Sequence, residues 1–244
     1  MSGVLQESYE VYREKLSLAI IFSIPFIIAF AIPLFAPLPT YMTAGAIFLR
    51  SASIFVNGNI SLLSLVVITI STIFSLLFLS FAFVLISLLV KSKRTHSKVG
   101  LRAFKNIETY IGRVFAIFLL YTIAIVFANI LGYFIGISTL LTGLVGFFLF
   151  ALLFYAPSAV VVDDKKIARA IKDSAKLVVH EPQYFIIWLI LITIMISIVD
   201  AICIFIFGNW AGYVVLLLNS LFIVPYFVIF QAEAYMDTFK LLRH

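Results

Sequence analysis

Side chains able to do acid-base, nucleophilic or metal chemistry are few in this 244-residue chain: three histidines, one cysteine and eleven carboxylates. His96, His180 and His244 stand far apart among charged residues, with no spacing that would gather a metal. Cys203 is alone within an apolar run, so neither an intrachain disulfide nor a cysteine metal site is available. The phosphate loop GxxxxGK[ST], the zinc motif HExxH, CxxC and the nucleophile elbow GxSxG are all absent. His180-Glu181 beside Asp163-Asp164 comes nearest to an acid-base cluster, and helix capping with salt bridging accounts for those residues more simply. The sequence thus predicts no enzyme, no metal and no cofactor.

The stronger chemical signal is a charge where charge is expensive. Asp200 lies in a long apolar run, about 17 residues beyond Gln183 and so about 25 Å along a helix. A carboxylate left unpaired in hydrocarbon costs several kcal/mol, so it finds a partner or serves a pathway. Asn129 and Asn219 are the amides within neighbouring apolar runs, and Arg50 is the one cation assigned to the same half of the molecule. These four form the candidate intramembrane binding set, with Arg50 and Asp200 expected to pair because an arginine fork lowers the cost of a partly dehydrated carboxylate. Asp200 reads either as a structural contact or as the ligand of an ion or small molecule in a transporter.

The elements that must position these residues follow from composition. Hydrophobic residues make up 64% of the chain, charged residues 11%, and the mean hydropathy is +1.20, against roughly 45 to 50% apolar residues in soluble domains. Apolar windows of about 20 residues, enough to cross a hydrocarbon core about 30 Å thick, lie near 16–38, 60–90, 114–137, 139–162, 185–207 and 211–230. Backbone amides in lipid must be paired internally, so such windows are helices. The sequence predicts an all-α membrane protein of six transmembrane helices in one domain, 1–244.

Charge placement gives the orientation. Every one of the 17 Lys and Arg residues except Arg50, and every acid except Asp200, falls before the first span, between the second and third, between the fourth and fifth, or in the C-terminal part of the chain. The positive-inside rule then places both termini in the cytoplasm of a multi-pass cell-membrane protein. The net charge of +6 sits against anionic headgroups on that side, which removes the need for a nucleic-acid partner.

Three segments carry apolar residues at three-and-four spacing beside charged faces: 4–15, 101–113 and 165–178. The first has Leu5, Ser8, Tyr12 and Leu16 on one face; the second has Leu101, Phe104, Ile107 and Ile111; the third has Ile167, Ala170, Ile171, Ser174, Leu177 and Val178. Each precedes a pair of spans. The pattern predicts a threefold repeat, 1–90, 91–162 and 163–244, of a cytoplasmic interfacial amphipathic helix followed by a helical hairpin. Lys91, Lys93, Arg94, Arg102, Lys105, Lys165, Arg169, Lys172 and Lys176 are the expected contacts to anionic headgroups. The partners this implies are membrane lipids and a membrane or cytoplasmic protein.

Three stretches, ESYEVYREKLSLAI, APSAVVVDD and IKDSAKLVVHEPQYF, with the hydropathy and spacing around them, resemble the six-helix membrane proteins of archaea and bacteria related to the membrane domain that precedes some glycerophosphodiester phosphodiesterases. In those fusions the phosphodiesterase chemistry belongs to a separate barrel domain. The resemblance therefore implies a six-helix membrane fold and brings no catalytic residues to this chain. It points to a scaffold or accessory subunit, with a small transporter built around Asp200 as the alternative.

Overall fold

A computed structural model describes residues 2–32, 62–94 and 106–241. The expected outer connection with Arg50, and the segment with Arg102 and Lys105, lie outside them. All described elements are helical: α1 (Ser2–Glu14), α2 (Leu16–Ala31), α3 (Leu62–Arg94), α4 (Ile107–Ile135), α5 (Ser138–Leu153), α6 (Ala156–Asp163), α7 (Ile167–His180), α8 (Pro182–Phe207), α9 (Ala211–Leu218) and α10 (Val224–Leu241). A 3-10 turn, Gly208–Trp210, joins α8 to α9, and a π-helical turn, Asn219–Ile223, joins α9 to α10.

Among the described residues four helical stretches, 65–93, 107–135, 138–163 and 182–238, are long and apolar enough to cross a membrane. The count is five if α1 and α2, which meet at 90°, are taken together as one bent span. The last stretch has 57 residues, about 86 Å as one straight helix, and it folds back at Gly208. The hydroxyl of Tyr184 donates to Asp237 Oδ2 at 2.8 Å, Trp188 Nε1 donates to the Phe227 carbonyl at 3.0 Å, and Cys203 packs with Ala211 and Val215. These contacts run antiparallel along the two limbs. The same sense joins α2 to α3: Glu14, at the end of α1 just before α2 begins, pairs with Lys93 at 3.1 Å, and the Ser75 hydroxyl donates to the Ala29 carbonyl at 2.6 Å.

The turn from α4 to α5 shows why it closes so tightly. Gly136 has φ +80°, a conformation glycine adopts without steric cost, and the Ile137 amide returns to the Gly132 carbonyl at 2.9 Å in a Schellman-type cap. A Cβ on Gly132 would stand 2.6 Å from Ser138 Cα, so only glycine lets the start of α5 lie against α4. Across the same pair, Asn129 Nδ2 donates to Thr142 Oγ1 at 3.1 Å.

The core lies toward the charged end. Residues 82–90 of α3 and 156–161 of α6 are buried on every side, together with most of 227–236 in α10. Phe150, Phe154, Phe185, Trp188 and Phe227 close around them with ring centroids 5.2 to 6.3 Å apart, the separations that edge-on aromatic pairs prefer.

Two of the expected interfacial helices are separate elements. α1 leaves α2 at 90°, burying Val4, Ser8 and Val11 with Leu5 and Tyr12 half-covered. α7 buries Ala170, Ser174, Leu177 and Val178, as its period requires. The second differs: residues 107–113 are the opening turns of α4, continuous with the apolar part that follows. No proline interrupts this stretch, and the buried stripe Tyr110, Val114 and Ile117 crosses the expected boundary at Arg113 without a change of phase. Over 107–113 the proposed repeat unit is therefore not reproduced as a separate helix.

Gly132→Ala is expected to lower stability by about 1 to 3 kcal/mol, the range for overpacking. Gly143→Ala, where an added Cβ meets nothing within 4 Å, should be neutral or stabilising by up to about 1 kcal/mol through helix propensity. Thermal unfolding in detergent compares the two; equal losses would mean that the close approach at Ser138 is not what the glycine supports.

Candidate functional site

The polar groups collect at two levels, one at the charged end and one toward the opposite end of α8 and α9.

At the charged end the site is built on a break in a helix. Pro157 has no amide to give to Leu153, so α5 stops and α6 begins after Phe154 and Tyr155. Other elements satisfy the groups this frees. Ser174 Oγ of α7 accepts from the Tyr155 amide at 2.9 Å and donates to the Leu152 carbonyl at 2.7 Å. Gln231 Nε2 of α10 donates to the Phe154 carbonyl. With α7 and α10 fixed there, the link after α6 is held over α10.

Lys165 lies in that link with its side chain only 10% exposed. Its ammonium is 2.9 Å from Asp173, 3.3 Å from Asp163 and 2.9 Å from the hydroxyl of Tyr235, to which it donates. The Tyr235 hydroxyl in turn donates to Asp163 Oδ2 at 2.6 Å. The next residue, Asp164, ends α6 at φ +51°, and its carboxylate takes Arg113 NH1 of α4 at 2.7 Å. Aspartate tolerates this left-handed conformation better than most residues.

Several expected headgroup contacts are therefore placed otherwise. Lys165 points into the protein, because two carboxylates and a phenol inside offer it more than the exposed face does. Lys91 is half-buried, donating to the Val161 carbonyl at 2.9 Å with its ammonium 5.7 Å from the centre of the Tyr110 ring. Lys93 pairs with Glu14. Arg169, Lys172 and Lys176 are exposed as expected, joined by Lys166, which the sequence reading did not single out. The side chain of Arg94, like residues Arg102 and Lys105, lies outside the described residues.

At the other level the four candidates divide. Asp200 and Asn219 approach one another across α8 and the π-helical turn. Asn219 is 0% exposed, and the Asp200 carboxylate is the one polar side chain that it approaches among the described residues; Asp200 Oδ1 and the hydroxyl of buried Ser220 have no partner there. Asn129 belongs instead to the α4 and α5 pair, where its amide reaches Thr142 and its Oδ1 has no described partner. Arg50 lies outside the described residues, so its expected pairing with Asp200 does too. Ser220 was overlooked in the sequence because one serine in an apolar run carries no periodic signal.

Neither level gathers three or more metal-ligating side chains of the His, Cys, Asp or Glu types among the described residues. The charged-end network has its polar atoms directed at one another, an arrangement that holds elements together.

Lys165→Met removes the shared cation from two carboxylates that are about one quarter exposed. The expected loss is about 2 to 3 kcal/mol, just below the range for a fully buried pair. Lys172→Met on the exposed face should change stability by less than about 0.5 kcal/mol. Chemical denaturation of both variants checks the contrast, and a loss at Lys165 no larger than at Lys172 would remove the cluster from the forces that hold α6, α7 and α10.

Comparison of the chain with protein-family models, with curated proteins and with solved structures gives no match.

Proposed function

We propose that this is an integral membrane protein of the cell membrane that crosses the bilayer six times with both termini cytoplasmic, and that it serves as a scaffold or accessory subunit gripping anionic lipid through its cytoplasmic surface. The six crossings contain α2, α3, α4, α5 with α6, α8, and α9 with α10. Support for the count comes from lengths, since α8 and α9–α10 fold back on each other at Gly208 and each limb is long enough for one crossing and too short for two. The resemblance to membrane domains preceding phosphodiesterases fits this reading and adds no activity to it.

The observation that carries the lipid reading is the sorting of charge on α7. Its apolar face is buried, and its one internal acid, Asp173, is turned to Lys165. Lys166, Arg169, Lys172 and Lys176 remain exposed, a cationic face with no acid of the same helix to offset it. Near an anionic surface each such cation contributes about 1 kcal/mol, and the effect fades with salt because the Debye length is only about 8 Å at physiological ionic strength.

Two measurements test the reading. In a Cys203→Ala background, Asn57→Cys should react with an impermeant thiol reagent on intact cells and Ser97→Cys should not; the reverse pattern would invert the orientation. In nanodiscs, phosphatidylglycerol should raise the thermal midpoint above that in phosphatidylcholine. A variant with Lys166, Arg169, Lys172 and Lys176 changed to glutamine should lose most of that difference. If the difference survives in the variant, lipid is not held by this face.

A further inference from the structure

We infer that Asp200 and Asn219, with the adjoining Ser220, bind a single monovalent metal cation between α8 and the π-helical turn. This goes beyond the lipid reading and does not depend on it. The two side chains come from antiparallel limbs of the polypeptide and approach each other where α8 packs on the π-helical turn, with Asn219 buried and Asp200 half-buried. Asn219 and Ser220 are both 0% exposed, and apart from the contact between the Asn219 side chain and the Asp200 carboxylate their polar side-chain atoms, like Asp200 Oδ1, have no hydrogen-bond partner among the described residues. Buried amides and hydroxyls are otherwise almost always satisfied, so two adjacent ones left open next to a carboxylate call for a missing partner. That partner is a cation, because no counter-charge to the carboxylate lies among the described residues.

The elements packed around the site show the lack. α2 and α9 carry no charged residue, and Asp200 is the only one on α8. On α10 the first charged residue is Glu233, 14 positions beyond Asn219, about 21 Å along the helix. On α3 the charges begin at Lys91, near the far end. One carboxylate at this depth is neutralised by one positive charge, and a divalent ion would leave an excess that is as costly as the bare acid. The available donors, a carboxylate, an amide oxygen and a hydroxyl, are hard oxygen ligands without sulfur or imidazole, which suits an alkali cation and not a transition metal. The π-helical turn adds to the case, because such turns are rare and are found mostly at functional sites. Here the Val224 amide bonds back to the Asn219 carbonyl, and two successive polar residues face inward together.

The test uses the full chain in detergent, with thermal unfolding recorded in sodium, potassium or choline chloride at one ionic strength. A cation bound only by the folded state raises the midpoint, by about 3 °C at ten times its dissociation constant for a chain of this size. Sodium or potassium should produce that rise relative to choline. Asp200→Asn should abolish it while remaining folded in choline, since the neutral amide has nearly the same shape and removes the unpaired charge. Asn219→Ala should reduce it, and sodium-23 relaxation should report bound ion in the wild type and not in Asp200→Asn. Equal midpoints in all three salts for the wild type would overturn the inference, as would an Asp200→Asn variant that keeps the rise. An Arg50→Gln variant that becomes cation-sensitive while the wild type is indifferent would assign the counter-charge to arginine and overturn it equally.

Discussion

The interruption between α5 and α6 is the constraint on which the charged end of the structure depends. A helix broken inside an apolar bundle leaves backbone groups that water cannot reach, and each unsatisfied group costs several kcal/mol. Pro157 makes the break unavoidable. Ser174 and Gln231 make it tolerable, because one hydroxyl serves both Tyr155 and Leu152 and one amide serves Phe154. Two side chains 57 positions apart in sequence are thereby obliged to meet at the same turn, which fixes α7 and α10 against α6. The complete burial of 156–161 is a consequence, since a short helix enclosed by α3, α4, α7 and α10 has no face left for solvent or lipid.

With that framework set, charge is sorted by distance from the break. Lys165 is held inside by Asp163, Asp173 and Tyr235, while the cations that follow on α7 stay outside. The inner cluster therefore consumes the acids that would otherwise offset the outer face. A structural network and a cationic surface are two sides of one helix, and the scaffold role we propose rests on their separation.

The opposite level obeys a different economy of polar groups. Near the charged end Lys165, Asp163, Asp173 and Tyr235 serve one another, although buried hydroxyls such as those of Ser87 and Ser158 have no partner among the described residues; at the opposite level Asp200 Oδ1 and Ser220 have none either. The π-helical turn lies against α2, which carries no charge, and against α8, on which Asp200 is the one charged side chain.

How far the sequence alone reached depends on whether the deciding interaction was local. Apolar windows predicted the helices, and the three-and-four period of 165–178 named the residues of α7 that are buried, because helix periodicity depends only on neighbouring residues. The turns at Gly136 and Gly208 were legible for the same reason. Asp200 and Asn219 stood out as polar residues in apolar runs, and their meeting followed from a tight turn between α8 and α9. The course of Lys165 was not legible, since it sits in the link before α7, where no period applies and the carboxylates and phenol that draw it inward come from three elements. The roles of Ser174 and Gln231 were hidden too: a serine and a glutamine carry no mark of which distant carbonyl they will serve. Nor could amphipathicity say whether 107–113 would turn aside or run on into α4, because both outcomes bury the same stripe. Tertiary packing decided it, by continuing that stripe through Tyr110, Val114 and Ile117 against the core.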